Sequence, residues 1–378
     1  MRKCNAVPTK MINKRVFYGI LLISCFAFVY WTFDDTLQSD LYYRSAQIFN
    51  KLMFFQNDKI PLVLLYTKFF GGSMMPSSEY YCPWKCNFTE DQSTYNIADA
   101  VLFHSRNANY DFTLSKSVNP LRLNVFYSME ASPNENIRGK HFPPDFFNVT
   151  MSFRRDSDIW QAYDKFESAL PEDLGNPDVT WSDEAVNTVI AQKSKLAIQF
   201  VSNCNTHSGR EFLVNELLNK TSDIDVFGHC NKQECNRTCE NEILDSYYFY
   251  FAFENSVCKD YVTEKFWRLK RLIVPIVLKR SILQGILDDA YFLAVDDYKN
   301  MDEFIKDLNF YKENVEAYKK FFGWTKLYRK APVGWQPLCS LCEFVYKPKP
   351  QKAISNIVRW WNDQKQCQHG FARRIWGL

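Results

Sequence analysis

At 378 residues the chain is long enough for two domains, and a composition of 46% hydrophobic and 24% charged residues describes a globular protein, not a disordered one. A net charge of +3, without a long Lys/Arg run, excludes nucleic-acid binding as an electrostatic expectation. The 17% aromatic share suits sugar-stacking surfaces and core packing equally.

Residues 16–33 are bulky, apolar and uncharged, near the short end for a membrane-spanning helix. Arg2, Lys3, Lys10, Lys14 and Arg15 precede them, and Asp34, Asp35 and Asp40 follow. That asymmetry predicts a type II signal anchor with residues 1–15 in the cytosol and the rest in the lumen. A cleaved signal peptide competes with this reading. Tyr30, Trp31 and Phe33 are too bulky for a small-x-small cleavage site. Residues 34–58, polar and aromatic without periodicity, read as a stem.

Residues 59–170 read as a first α/β domain, with strands over 61–66, 100–103 and 121–127 separated by helix-compatible segments. Glu130 follows the carboxyl end of the 121–127 strand, where ligands bind in such sheets, and Glu135 lies in the same loop. Residues 171–185 carry Pro171, Gly175 and Pro177 and read as a linker. A second series over 186–345 predicts strands at 195–201, 223–227, 247–253, 273–278 and 291–295. Helices are expected at 208–219, with Ser208 as cap, at 302–308 and at 312–322. Residues 346–378 form an extension.

Residues 251–265 are the most informative run. They begin as the end of an apolar strand, turn at residues 254–256, and predict a helix capped by Asp260. On that helix Tyr261, Glu264, Lys265 and Arg268 share one face. Val262, Phe266, Leu269 and Ile273 share the buried face. A strand, a turn and a helix N-terminus favour an anionic ligand, and Lys265 adds a full charge. Residues 201–210 repeat the pattern, with Arg210 two residues into the next helix.

Four sequons, at Asn87, Asn148, Asn219 and Asn236, lie after the apolar run and agree with a luminal body. Of 12 cysteines, Cys4 and Cys25 fall in the tail and the anchor, which leaves an even number for an oxidising lumen. Cys82-x3-Cys86 and Cys339-x2-Cys342 have the look of a zinc pair of pairs, but disulfides suit the compartment better. Cys204, Cys230, Cys235, Cys239 and Cys258 read as a stapled loop.

The string Phe-Ala-Phe-Glu-Asn-Ser-Val-Cys-Lys-Asp-Tyr-Val-Thr-Glu-Lys at 251–265 closely resembles the donor-binding signature of the α1,3-fucosyltransferases. The block at 147–160 resembles that family's first motif, and the resemblance spans about residues 86–342. It implies a GT-B fold: two Rossmann-like domains facing across a cleft, acceptor side first, donor side second. It implies GDP-fucose as donor, a glycoprotein or oligosaccharide acceptor, and a Golgi membrane location. Carried over residue by residue, Asn255, Tyr261, Glu264, Lys265 and Arg210 bind the donor, with Arg210 and Lys265 on the diphosphate and Tyr261 on the nucleotide. Glu130 is the base, with Glu135 in reserve, and Glu254 buttresses the loop. The resemblance also implies that Cys82 and Cys86 pair with Cys339 and Cys342.

Asp156-Ser-Asp158 mimics a metal motif but reads as structural beside Arg154 and Arg155, so no metal is expected to be obligatory, although Mn or Mg could stimulate. The sequence departs from the family pattern at Ala131, at Ala162-Tyr163-Asp164 in place of Pro-Tyr-Gly, and over 279–284. The cysteine pattern is closer to plant and invertebrate core-type members, which implies the N-glycan core GlcNAc as acceptor. Open alternatives are an antennal acceptor, another nucleotide sugar, and a non-catalytic lectin-like relative.

Overall fold

The computed structural model describes residues 59–77, 81–108, 121–135, 137, 140, 142–330, 336–348, 352–363 and 366–377. The apolar run at 16–33, the tail and the stem lie outside the described residues. Among the described residues no helix is long and apolar enough to cross a membrane.

Two parallel sheets make up the α/β fold. The first holds β1 (Leu62–Leu65), β2 (Asn87–Thr89), β3 (Ala100–His104), β4 (Leu123–Ser128), β5 (Val149–Ser152) and β6 (Ile159–Trp160), in the order β2-β1-β3-β4-β5-β6. The second holds β7 (Lys195–Phe200), β8 (Ile224–Phe227), β9 (Tyr247–Phe251), β11 (Val274–Val277) and β12 (Leu293–Ala294), in the order β12-β11-β9-β7-β8. β3, β4, β5, β9 and β11 are buried at every residue, as expected of parallel strands covered on both faces. Each sheet has its own apolar core.

The extension does not stand apart. Leu338 and Leu341 of the helix Pro337–Tyr346, and Ile357 and Trp361 of the helix Ile357–Trp361, are buried in the core of the first sheet. Trp361 packs 5.5 Å from the Phe126 ring and 5.6 Å from the Phe153 ring. Two disulfides, Cys82–Cys339 and Cys86–Cys342, fasten this return. The stapled-loop reading needs correction. Cys204 pairs with Cys230 and Cys235 with Cys239, but Cys258 leaves the cluster and bonds to Cys367. There β10 (Val257–Cys258) pairs antiparallel with β13 (Cys367–Gln368).

Two caps also differ from expectation. Gly209, at φ +73°, precedes the helix Arg210–Lys220, while the Ser208 hydroxyl donates to the Glu254 carbonyl at 2.7 Å. The segment 302–322 breaks at Asn314, whose side chain caps the next helix, Val315–Lys319.

The sequons differ in access. Asn87, Asn219 and Asn236 are exposed. Both polar atoms of the Asn148 amide are engaged: Nδ2 donates to the Arg122 carbonyl at 2.9 Å and Oδ1 accepts from Asn124 N at 2.8 Å. Its Thr150 hydroxyl is buried on Asp158. The Asn148 amide thus also serves the fold.

Candidate active site

The signature folds differently from the helix its spacing predicts. β10 and the Cys258–Cys367 bond hold residues 257–258 extended, and Lys259 N donates to the Gln366 carbonyl at 2.7 Å. Asp260 adopts φ +63° and caps nothing. Its carboxylate instead accepts from Arg155 Nε at 2.8 Å and Arg155 N at 3.1 Å, tying the 147–160 block to the signature. The helix begins only at Glu264, capped by Thr263, and runs one turn to Trp267 before a 3-10 turn, Arg268–Arg271. Val262, Phe266, Leu269 and Ile273 are buried as the spacing requires.

Tyr261 therefore lies before the helix and does not share its polar face. Its side chain enters the core of the first sheet, 2% exposed, with Phe153 at 4.9 Å and Tyr163 at 6.4 Å between ring centroids. Enclosed in this way, the ring has no open face on which to stack a nucleotide base. Its hydroxyl donates to Glu130 Oε1 at 2.6 Å. Burial first, then the neighbouring Tyr163 and Glu130, push the Tyr261 pKa well up, so the hydroxyl keeps its proton.

Glu130 stands just beyond β4, where the first sheet faces the signature. Its Oε1 also accepts from Ala131 N at 3.0 Å, Asn134 Nδ2 at 3.1 Å and Asn255 Nδ2 at 3.3 Å. Four donors hold one oxygen, and Oε2 receives none of them. A carboxylate fixed through one oxygen presents the other in a defined direction, as a general base requires. Glu135 is 1% exposed and accepts from the Ser105 and Ser128 hydroxyls at 3.0 and 3.1 Å. Burial raises its pKa. It sits beneath the loop and does not reach the cleft, which corrects its place as the reserve base.

On the second sheet, Arg210 is 3% exposed. Its NH1 donates to the Phe253 carbonyl at 2.5 Å and its NH2 to the Asn203 carbonyl at 3.2 Å, bracing two loops. Arg210 Nε and Asn255 Oδ1 are buried without a hydrogen-bond partner. Such orphaned polar atoms are costly, and two of them beside the signature mark a place where a ligand fits. Glu254 is 3% exposed and accepts from Thr263 N and Oγ1 at 2.8 Å. Burial raises its pKa, and Lys265 Nζ at 3.3 Å opposes that shift. Lys265 also bonds Glu264 at 3.0 Å, and the Glu264 side chain is 62% exposed. Burial weighs against the Lys265 charge, but the two carboxylates outweigh it and hold the ammonium above its usual range.

The acidic pair of the 147–160 block is spoken for. Asp156 binds Arg154 at 2.6 Å, and Asp158 binds Thr150 and, at 2.7 Å, Lys352. Among the described residues no group of three or more His, Cys, Asp and Glu side chains could hold a metal ion.

The arrangement thus brings Glu130, Asn255 and Tyr261 into contact and sets Lys265 and Arg210 behind the same turn. Sequence reasoning missed Asn134, whose Nδ2 also reaches Ser256 Oγ at 3.3 Å, and the Arg155–Asp260 pair. The one available signal for Asn134 was its position four residues after Glu130 on a turn of helix, Ser132–Glu135.

Two family models match the chain: "Fucosyltransferase, N-terminal" over residues 57–164 and "Glycosyltransferase family 10 (fucosyltransferase) C-term" over residues 190–361. Alpha-(1,3)-fucosyltransferase fut-5 of Caenorhabditis elegans is 34% identical over 341 residues, covering 84% of this chain and 87% of that protein. The chain belongs to the glycosyltransferase family 10 fucosyltransferases. Alpha-(1,3)-fucosyltransferase C of Drosophila melanogaster is 29% identical over 341 residues, covering 81% and 79% of the two chains. A crystal structure of an α1,3-fucosyltransferase with GDP-fucose aligns at TM-score 0.48 and 14% identity, over 80% of this chain and 95% of that one. For this family 10 chain, residue roles rest on its own geometry.

Proposed function

We propose that the protein is a GDP-fucose-dependent α1,3-fucosyltransferase of GT-B architecture. The acceptor enters beside Glu130, and the donor lies against Arg210, Asn255, Glu264 and Lys265. The observation that carries this reading is the convergence of Asn255 and Tyr261, both from the signature, on one oxygen of Glu130. A base held by donor-side residues couples the two halves of a displacement.

Glu130 Oε2 takes the proton from the 3-hydroxyl of a GlcNAc on a glycoprotein glycan. The freed oxygen attacks the anomeric carbon of the β-linked fucose as its bond to the diphosphate breaks, and GDP departs. Attack from the opposite face inverts the anomeric configuration and gives the α product. Lys265, with the orphaned Arg210 Nε, balances the charge that develops on the leaving diphosphate. Tyr261 and Asn134 are positioning residues that aim the carboxylate. Arg210 and Lys265 supply positive charge without a required metal.

The cysteine pattern, which resembles that of core-type members, makes the N-glycan core GlcNAc the first acceptor to test. A second reading, an antennal acceptor, draws on the human relative named 4-galactosyl-N-acetylglucosaminide 3-alpha-L-fucosyltransferase FUT6, which is 31% identical over 296 residues, covering 75% of this chain and 78% of that protein. The protein is taken to work in the Golgi lumen behind an N-terminal anchor, for which the charge asymmetry around residues 16–33 is the support.

The test is incubation of the full chain with GDP-fucose, UDP-galactose or CMP-sialic acid and a set of core and antennal glycopeptides. NMR then assigns the product linkage. Transfer of fucose alone, α1,3-linked, is expected. Transfer of another sugar, or none, would overturn the reading. Protease protection in sealed vesicles checks the compartment, with a protected carboxyl terminus expected.

A further inference from the structure

Two cavities, of ≈ 200 Å³ and ≈ 170 Å³, share Trp160, Ala162, Asp164 and Lys165 in their walls and so form one groove. This groove lies back to back with the site. Asp260 and Val262 line it, while Tyr261 between them turns to Glu130. Ala162 and Asp164 line it, while the Tyr163 hydroxyl between them donates to the Met129 carbonyl. The two tyrosines therefore separate the groove from the base.

Its chemistry is specific. Trp160 is 43% exposed, and Nε1 donating to the Phe153 carbonyl at 3.0 Å fixes its indole. A pre-set aromatic face loses little entropy on stacking. Gln161, only 5% exposed, lines the second cavity, and its Oε1 has no hydrogen-bond partner. Asp164, paired with Lys270 at 2.8 Å, and Glu343, paired with Lys347 at 2.9 Å, add acceptor oxygens whose charge is balanced. A fixed aromatic face beside an orphaned acceptor and two neutralised carboxylates suits a ligand with an apolar face and hydroxyl donors. A purely aliphatic chain would leave Gln161 unsatisfied.

We propose that the Trp160–Gln161 groove binds a neutral sugar of the acceptor glycan other than the one that reacts. It would hold one arm of a branched glycan behind the site while another residue meets Glu130. This rests on the fucosyltransferase reading and extends it to acceptor choice.

The experiment compares the full chain with Trp160→Ala on two acceptors: a glycopeptide with a biantennary N-glycan, and a simple GlcNAc glycoside. Loss of the platform should raise KM for the glycopeptide about tenfold. The kcat, the KM for GDP-fucose and the KM for the glycoside should hold within about twofold. Trp160→Phe should keep most of the glycopeptide KM. Ser340→Arg, which fills the second cavity, should raise it as Trp160→Ala does, and serves if Trp160→Ala fails to fold. An unchanged glycopeptide KM, or equal shifts for both acceptors, overturns the proposal. Titration calorimetry of the free biantennary glycan, with GDP saturating, separates this claim from the parent reading. Trp160-dependent binding without any turnover would reject fucosyl transfer and keep the groove. Normal turnover with binding that ignores Trp160 would reject the groove alone.

Discussion

Tyr261 Oη stands 2.6 Å from Glu130 Oε1, across 131 residues of sequence. This bond, with that of Asn255 Nδ2 at 3.3 Å, joins the donor signature to the carboxylate at the end of β4. The two sheets meet here through a positioned carboxylate, so its geometry depends on both.

Replacing Tyr261 by Phe keeps the ring packed against Phe153 and Tyr163 and removes only this donor. A net loss of about 1.5–3 kcal/mol is usual for a hydrogen bond to a charged group. We expect kcat to fall roughly tenfold or more, with the thermal midpoint lowered by only a few degrees. Steady-state rates beside a melting curve check this. Unchanged kcat would mean that Asn134, Asn255 and Ala131 hold Glu130 without help.

Lys265 has two tasks that a single substitution confuses. Its ammonium lies 3.3 Å from the buried Glu254 carboxylate, so Lys265→Ala leaves that charge without its partner. Breaking such a pair costs roughly 3–5 kcal/mol. Pairing Lys265→Ala with Glu254→Gln should restore most of the stability but not GDP affinity or turnover. Chemical denaturation and GDP titration of the single and double variants give the answer. Recovery of GDP binding in the double variant would remove Lys265 from the diphosphate.

The Cys82–Cys339 and Cys86–Cys342 bonds close nearly the same loop, with separations of 257 and 256 residues. Either alone therefore supplies most of the chain-entropy effect. Removing one bond should cost little, while removing both should cost about 5 kcal/mol. Denaturant midpoints of Cys82→Ser/Cys339→Ser and of the fourfold serine variant test this, and similar losses in both would contradict it.

Stability should also fall in mild acid because of His104. It is 1% exposed, with Nδ1 2.8 Å from Asn107 Oδ1. Burial lowers its pKa from 6.5 to about 4. The unfolded chain therefore binds the proton first, at about pH 6.5. Stability is full above that value and declines as pH falls toward 4, by about 3 kcal/mol in all. His104→Gln should flatten this slope, as read from denaturation at several pH values.

Much of the fold was legible because parallel strands buried on both faces leave uniform apolar runs, as β9 and β11 do. Glu130 was legible through the family resemblance of its loop, to which its place after β4 added position. The error at the signature has a clear cause. Periodicity alone reads Asp260 as a cap, but Cys258–Cys367 pins the preceding residues to a strand 109 positions away, and local pattern cannot see that contact. The same blindness hid Tyr261's turn toward the first sheet, Asp260's pairing with Arg155, and the return of residues 337–361 to the first core. Arg210 was read by charge and position, yet its NH1 partner, the Phe253 carbonyl, comes from a distant segment, whereas the carboxylate partners of Lys265, Glu254 and Glu264, lie within the signature.

If Glu130 is the base, its Oε2 receives the acceptor proton. Glu130→Gln keeps the shape and an oxygen for Tyr261 but cannot take a proton. The deciding measurement is single-turnover fucose transfer by the full chain and this variant, with GDP affinity measured on the same samples. The rate should fall by ~10²–10⁴-fold, with GDP affinity nearly unchanged. A variant that transfers fucose at close to the normal rate would contradict that role for Glu130.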